Sequence, residues 1–128
     1  MGSYNDEIKL DVEAAIHHLQ AAKHLLEKGQ LDTAAARASE SAFHTARALL
    51  LDEDIETSQQ GDVISLIQEI FVKGRRLTKE QGGDLSWLFA IRNAEERVSS
   101  GSVTAEEVRR ALQIAESFFE AGKIILEG

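Results

Sequence analysis

The sequence predicts an all-α protein: an up-and-down antiparallel four-helix bundle with an additional short helix. Three observations carry this. Apolar residues recur every three or four positions through most of the chain. No segment sustains the alternation of apolar and polar residues that marks a half-buried strand. Proline is absent from all 128 residues, so breaks between helices fall to glycines, polar clusters and caps. The turns are short, which favours antiparallel neighbours.

The first helix is predicted over residues 6–28. Ile8, Val12, Ala15, Ile16, Leu19, Ala22, Leu25 and Leu26 mark its apolar face, and Gly29 stops it. The second begins at Leu31 or Asp32 and reaches Leu51. Its run from Ala34 to Leu50 is rich in alanine, which lets a neighbouring helix approach closely. The polar stretch 52–61 reads as a loop. A third helix is expected over 62–73, with Val63, Ile64, Leu66, Ile67, Ile70 and Phe71 on its buried side and Gly74 ending it. Gly82 and Gly83 read as a second break. A fourth helix then begins at Asp84 or the glycines just before it and reaches Val98. The loop 99–102 follows. The fifth helix has the sharpest start: Thr104 with Glu107 three residues on is a capping box, and Val103 and Val108 occupy staple positions. Such a cap is worth about 1 kcal/mol.

Length fits one domain over residues 1–128, able to remove roughly two thirds of its unfolded surface on folding. Hydrophobic residues at 43% and charged residues at 28% are ordinary for a globule. No window approaches the roughly 20 apolar residues of a membrane span. The first residues lack the basic-then-apolar pattern of a signal peptide. There is no cysteine, which excludes disulfides and thiolate metal sites. The expectation is a cytoplasmic protein without membrane contact. A net charge of -8 disfavours non-specific nucleic-acid binding, which draws on phosphate neutralisation. It leaves room for a small basic cleft.

Helix two carries a family resemblance. Arg37-Ala38-Ser39-Glu40-Ser41-Ala42 followed by Phe43-His44-Thr45-Ala46-Arg47-Ala48-Leu49-Leu50 resembles the signature of small stand-alone prokaryotic HEPN domains. There an Arg-Ala-Tyr-Tyr-Ala-like stretch leads into Phe-His-x-Ala-Arg-Ala-Leu-Leu. Ser58-Gln59-Gln60-Gly61 is similar to the family's Ser/Thr-His-x-Gly loop, Phe71-Val72-Lys73 to its Phe-Val-Lys segment, and Arg92-Asn93-Ala94-Glu95-Glu96-Arg97 to its Arg-x-x-Ala-Asp-Tyr motif. The resemblance implies a HEPN-like helical bundle, commonly dimeric. It also implies ribonuclease toxins paired with a nucleotidyltransferase-like antitoxin. The family's catalytic pattern, Arg then His after four to six residues, is missing. Arg92 is followed at those distances by Arg97, Val98 and Ser99, and no histidine occurs after His44. The family's tyrosines are replaced by Ser39, Glu40 and Arg97, and its loop histidine by Gln59.

Candidate site residues are therefore Arg37, Glu40, His44, Arg47, Arg92 and Glu96, as ligand or partner contacts. His44 and Arg92 are the candidates for any catalysis. Arg37, Glu40, His44 and Arg47 share a helical stripe. A histidine titrates near neutrality and can move a proton, and an arginine fork can hold phosphate. The bland alternative pairs the same residues structurally between helices. Glu13 and His17 have metal-compatible spacing, but His24 is two turns away and no His-Glu-x-x-His motif exists. No metal or cofactor is expected, and the helix-one histidines read as solvated. Lys73, Arg75, Arg76 and Lys79 form a basic cluster best read as a solvated helix end. Trp87 is assigned to the core or an interface. The leading functional expectation is a non-catalytic protein that homodimerises and binds a partner, nucleotidyltransferase-like by resemblance. The alternatives are a divergent metal-independent ribonuclease, or a nucleotide-binding protein, using Arg92 and His44.

Overall fold

The computed structural model describes residues 5–57, 59–91 and 103–128. Its elements are α1 (Asn5–Glu27), α2 (Leu31–Asp52), α3 (Gln60–Leu66) continued by a π-helical turn (Ile67–Val72), α4 (Lys79–Ile91) and α5 (Ala105–Glu127). No strand occurs among the described residues. The all-α bundle expected from periodicity is what forms.

α2 is the central helix. It packs most extensively on α1, next on α5, and also touches α4 and α3. Its alanines explain this. Ala34, Ala38, Ala42 and Ala46 are fully buried and present almost no side chain to hold neighbours off. Gly122 of α5 repeats the device. A β-carbon added there would lie 2.8 Å from Thr45 Cγ2, too close for a real contact. Two hydroxyls of this small-residue surface, those of Ser41 and Thr45, are turned inward onto backbone. Ser41 Oγ donates to the Ala15 carbonyl at 2.8 Å, tying α2 to α1, and Thr45 Oγ1 donates to the Ser41 carbonyl at 3.1 Å.

The α1–α2 turn follows from Gly29. Its φ of 77° is left-handed, a region glycine enters without a β-carbon penalty. Gly29 N donates to the Leu26 carbonyl and Gln30 N to the Leu25 carbonyl, the paired bonds of a Schellman stop. So tight a turn folds α2 back along α1. Asp32, in the first turn of α2, accepts from Val103 N at 3.0 Å and fixes the start of the α5 segment. The capping box forms as expected: Glu107 N donates to Thr104 Oγ1 at 3.1 Å, and Thr104 N to Glu107 Oε1 at 2.9 Å. Val103 and Val108 are both buried beside it.

Two expectations change. Gly82 and Gly83 do not break the chain; they lie inside α4. The helix starts earlier because Thr78 and Gln81 form an unrecognised capping box, with Gln81 N donating to Thr78 Oγ1 at 2.9 Å and Thr78 N to Gln81 Oε1 at 2.8 Å. Gly82 is there for close approach. A β-carbon on it would come within 2.7 Å of Gln68 Oε1 and 2.9 Å of Val72 Cγ2. Gln68 Nε2 instead donates to the Gly82 carbonyl at 2.9 Å. The third helix begins at Gln60 and widens into the π turn after Leu66. The predicted extension of the fourth helix over 92–98 lies outside the described residues. Phe71, Phe89, Leu49 and Leu50 are at most 1% exposed, and each contributes about 1.5–3 kcal/mol by burial.

Candidate functional site at the α1–α2 edge

Arg37, Glu40, His44 and Arg47 follow one another at three- and four-residue spacing along one edge of α2, as their sequence positions require. What the sequence did not reveal is the partner stripe. Asp11 and His18, seven residues apart on α1, face that edge. The antiparallel turn sets the pairing. His44 Nδ1 lies 2.8 Å from Asp11 Oδ1, Arg47 Nη1 is 3.8 Å from the same oxygen, and Arg37 Nη1 is 3.1 Å from His18 Nδ1. The His18 and His44 rings stack with centroids 5.4 Å apart and planes within 11°. Phe43 meets His44 edge-on at 5.8 Å.

These contacts assign protons. A carboxylate only accepts, so His44 donates from Nδ1 and its Nε2 is the nitrogen left for other work. A guanidinium only donates, so His18 accepts at Nδ1. His18 is held below its ordinary value of 6.5, first by burial and then by the neighbouring His44 and Arg37; Glu40 opposes the shift. His18, Glu40 and His44 also bring one metal-ligating atom each to within 4.8 Å of one another.

Asp11 is the one charged residue buried among the described residues. Its side chain is 7% exposed, against 21% for His44 and 26% for Arg47. Oδ1 faces the histidine and arginine, while Oδ2 takes no hydrogen bond from any described residue. A buried carboxylate so incompletely satisfied is costly. The signal for it was present in the sequence. Asp11 stands on the buried stripe it shares with Ala15, Leu19 and Ala22, where an apolar side chain belongs.

The structure thus brings together four of the six predicted site residues: Arg37, Glu40, His44 and Arg47. Arg92 and Glu96 lie outside the described residues. His18 departs from the reading of solvated helix-one histidines; it is half-buried and ring-stacked, whereas Glu13, His17 and His24 are exposed. Two of the four residues of the basic cluster are engaged by neighbours. Arg76 bonds Glu53 at 3.0 Å and covers the Phe71 ring at 4.2 Å, and Lys73 pairs with Glu69 at 3.3 Å. Trp87 is half-buried, with the Arg110 guanidinium 4.1 Å over its ring. No helix among the described residues is long and apolar enough to cross a membrane.

Two similarities to known proteins identify the chain's family. The chain is 29% identical over 122 residues to the protein named "Putative toxin MJ0605" of Methanocaldococcus jannaschii, an alignment covering 95% of this chain and 90% of the relative. The family model for the HEPN domain matches residues 9–125. That span holds all of α2 and nearly all of the helical bundle, together with the Asp11, His18 and His44 cluster, and the chain belongs to the HEPN domain family.

Proposed function

We propose that this chain is a toxin-like HEPN protein that acts as a homodimer and is held by a partner protein, nucleotidyltransferase-like as in the pairing its sequence resembles. The α1–α2 polar edge is the surface through which it works. The buried Asp11 carboxylate under His44 and Arg47 carries this reading. A desolvated carboxylate is a poor way to stabilise a helix pair; it makes sense where a histidine and an arginine must be held in fixed orientation. The toxin character is supported by the printed name of the Methanocaldococcus relative. The alanine seam is used inside the protomer, so a dimer contact draws on other surfaces. Leu10, Ile16 and Ile124 are large apolar side chains left exposed on α1 and α5. A stable contact would cover at least about 1,000 Å².

Expression of the chain alone should slow growth of a bacterial host. Co-expression with a nucleotidyltransferase-like protein from an adjacent gene should restore growth and yield a co-purifying complex. Light scattering should give twice the chain mass. Normal growth, a monomer at all concentrations and no co-purification would together remove the proposal.

A second reading is favoured by one observation, the orientation of His44 by Asp11. With Nδ1 donating to the carboxylate, Nε2 can take the proton from an RNA 2′-hydroxyl as that oxygen attacks the adjacent phosphorus. The bond from phosphorus to the 5′-oxygen breaks and a 2′,3′-cyclic phosphate forms. The departing 5′-oxygen takes a proton from water, and His44 returns its own to solvent. Arg37 and Arg47 would steady the charge that develops. Arg92 joins this set from the sequence alone. The protein treated with chelator should then cut RNA, and His44→Ala and Asp11→Asn should lose most of that activity. Intact RNA after prolonged incubation with the assembled oligomer would end this reading.

A further inference from the structure

We propose that His18, Glu40 and His44 form a binding site for a first-row divalent transition metal, zinc-like in its preference, bridging α1 and α2. The donor set is two imidazoles and one carboxylate, the combination such ions accept with positions left open for water or a ligand. One ligating atom from each residue already lies within 4.8 Å of the others. Metal–ligand bonds of about 2.0–2.2 Å in a tetrahedron place ligand atoms roughly 3.5 Å apart, so the ligating atoms must close by about 1 Å. The stacked His18 and His44 rings must also turn out of parallel to aim their in-plane lone pairs at one ion. Glu40 and His44 sit one turn apart on α2, a spacing at which two side chains on one helix face can share an ion.

Two further features point the same way. His44 bonds Asp11 through Nδ1 at 2.8 Å, which leaves Nε2 as the ligating nitrogen and supplies the carboxylate behind the imidazole that metal-bound histidines commonly have. That carboxylate is buried, and its Oδ2 takes no hydrogen bond from the described residues. A cation on the far side of the ring strengthens the Nδ1–H donor and offsets the buried negative charge. At the other end, the exposed Arg37 guanidinium donates to His18 Nδ1 at 3.1 Å. One positive group already rests on this donor set, and a metal ion would displace it. The cluster is assembled from both helices, so helix-one spacing alone gives no hint of it.

This inference does not depend on the partner-binding or RNA readings, because its readout is metal binding. A bound ion would occupy His44 Nε2 and so block, not assist, the metal-free proton transfer described above. The test uses the full chain without an affinity tag, freed of metal by chelator and titrated with Zn²⁺ by calorimetry and with Co²⁺ by visible absorption. One ion per chain is expected, with d–d bands showing nitrogen and oxygen ligation and a Tm that rises with metal concentration. His18→Ala and Glu40→Ala should abolish the bands. Asp11→Asn should weaken binding about 10–100-fold, and Arg37→Ala should tighten it. A His17→Ala/His24→Ala double variant should bind as the parent does. Circular dichroism of every variant identifies any that has lost its fold. Absence of binding at millimolar Zn²⁺ would overturn the proposal. So would Co²⁺ spectra unchanged in folded His18→Ala and Glu40→Ala, or binding lost only in the His17→Ala/His24→Ala control.

Discussion

Replacing His44 by alanine removes the 2.8 Å donor from Asp11 Oδ1 and leaves a carboxylate that is 7% exposed. Breaking a fully buried ion pair from one side costs about 3–5 kcal/mol. Two structural facts lower that here. Arg47 remains 3.8 Å from the same oxygen, and His44 is itself 21% exposed, so its removal opens a path for water. The expected loss is about 2 kcal/mol, within the range for hydrogen bonds to charged groups. Asp11→Ala should cost about 1–2 kcal/mol, because it removes the desolvated charge along with the bond. The double variant should fall short of the sum of the single losses by about 1.5 kcal/mol, which is the coupling between the two side chains. Urea unfolding followed by circular dichroism, with chelator present, measures all three. A 2 kcal/mol loss moves the midpoint by about 1 M at the slopes usual for small proteins. The reasoning fails if His44→Ala stays within about 0.5 kcal/mol of the parent and the coupling is below the same figure. Asp11 would then be hydrated and His44 unrestrained.

Further outcomes follow from other sites. His18 is neutral in the fold below its ordinary value of 6.5, so the unfolded chain binds its proton first as pH falls. Its contribution to stability is therefore full above 6.5 and declines below it, down to the lowered folded value. The Tm difference between the parent and His18→Gln should shrink or reverse on moving from about pH 7.5 to pH 5; a constant difference contradicts this. The adjacent glycines of α4 should respond with opposite signs. Gly83→Ala meets no atom within 4 Å and should stabilise by about 0.5–1 kcal/mol. Gly82→Ala drives a methyl against Gln68 and Val72 and should cost about 1–2 kcal/mol in the same unfolding assay. Ser39 Oγ is buried without a hydrogen-bond partner among the described residues. Ser39→Ala should leave stability unchanged or raise it by up to about 1 kcal/mol, and a clear loss in thermal unfolding would show that the hydroxyl is bonded.

Most of the fold was legible because its signals are local. The Gly29 stop, the alanine face of α2 and the Thr104–Glu107 box each act within a few residues, and all three appear as expected. The Gly82–Gly83 error has a physical cause. A glycine that permits close packing and a glycine that ends a helix look alike in sequence, and only Gln68 and Val72, more than nine residues earlier, tell them apart. The site was half legible for a similar reason. The α2 stripe is visible from spacing, but its complement on α1 depends on which residues the turn at Gly29 sets opposite one another. Asp11 gave a faint signal as an acid on an apolar stripe. His18 gave none, because nothing in its spacing sets it apart from the exposed His17 beside it.

The polar edge is divided between two helices, and its first portion comes early in the chain. Asp11 and His18 are in register with Arg37 and His44 only while α1 is docked, so any event that lifts α1 dismantles the constellation and at the same time uncovers the alanine face of α2 that α1 covers. A protein that grips α1, or a protease that trims it before residue 18, would thus act as an off-switch. Conversely, whatever clamps α1 to α2 would set how often the assembled site exists, independent of the chemistry it performs.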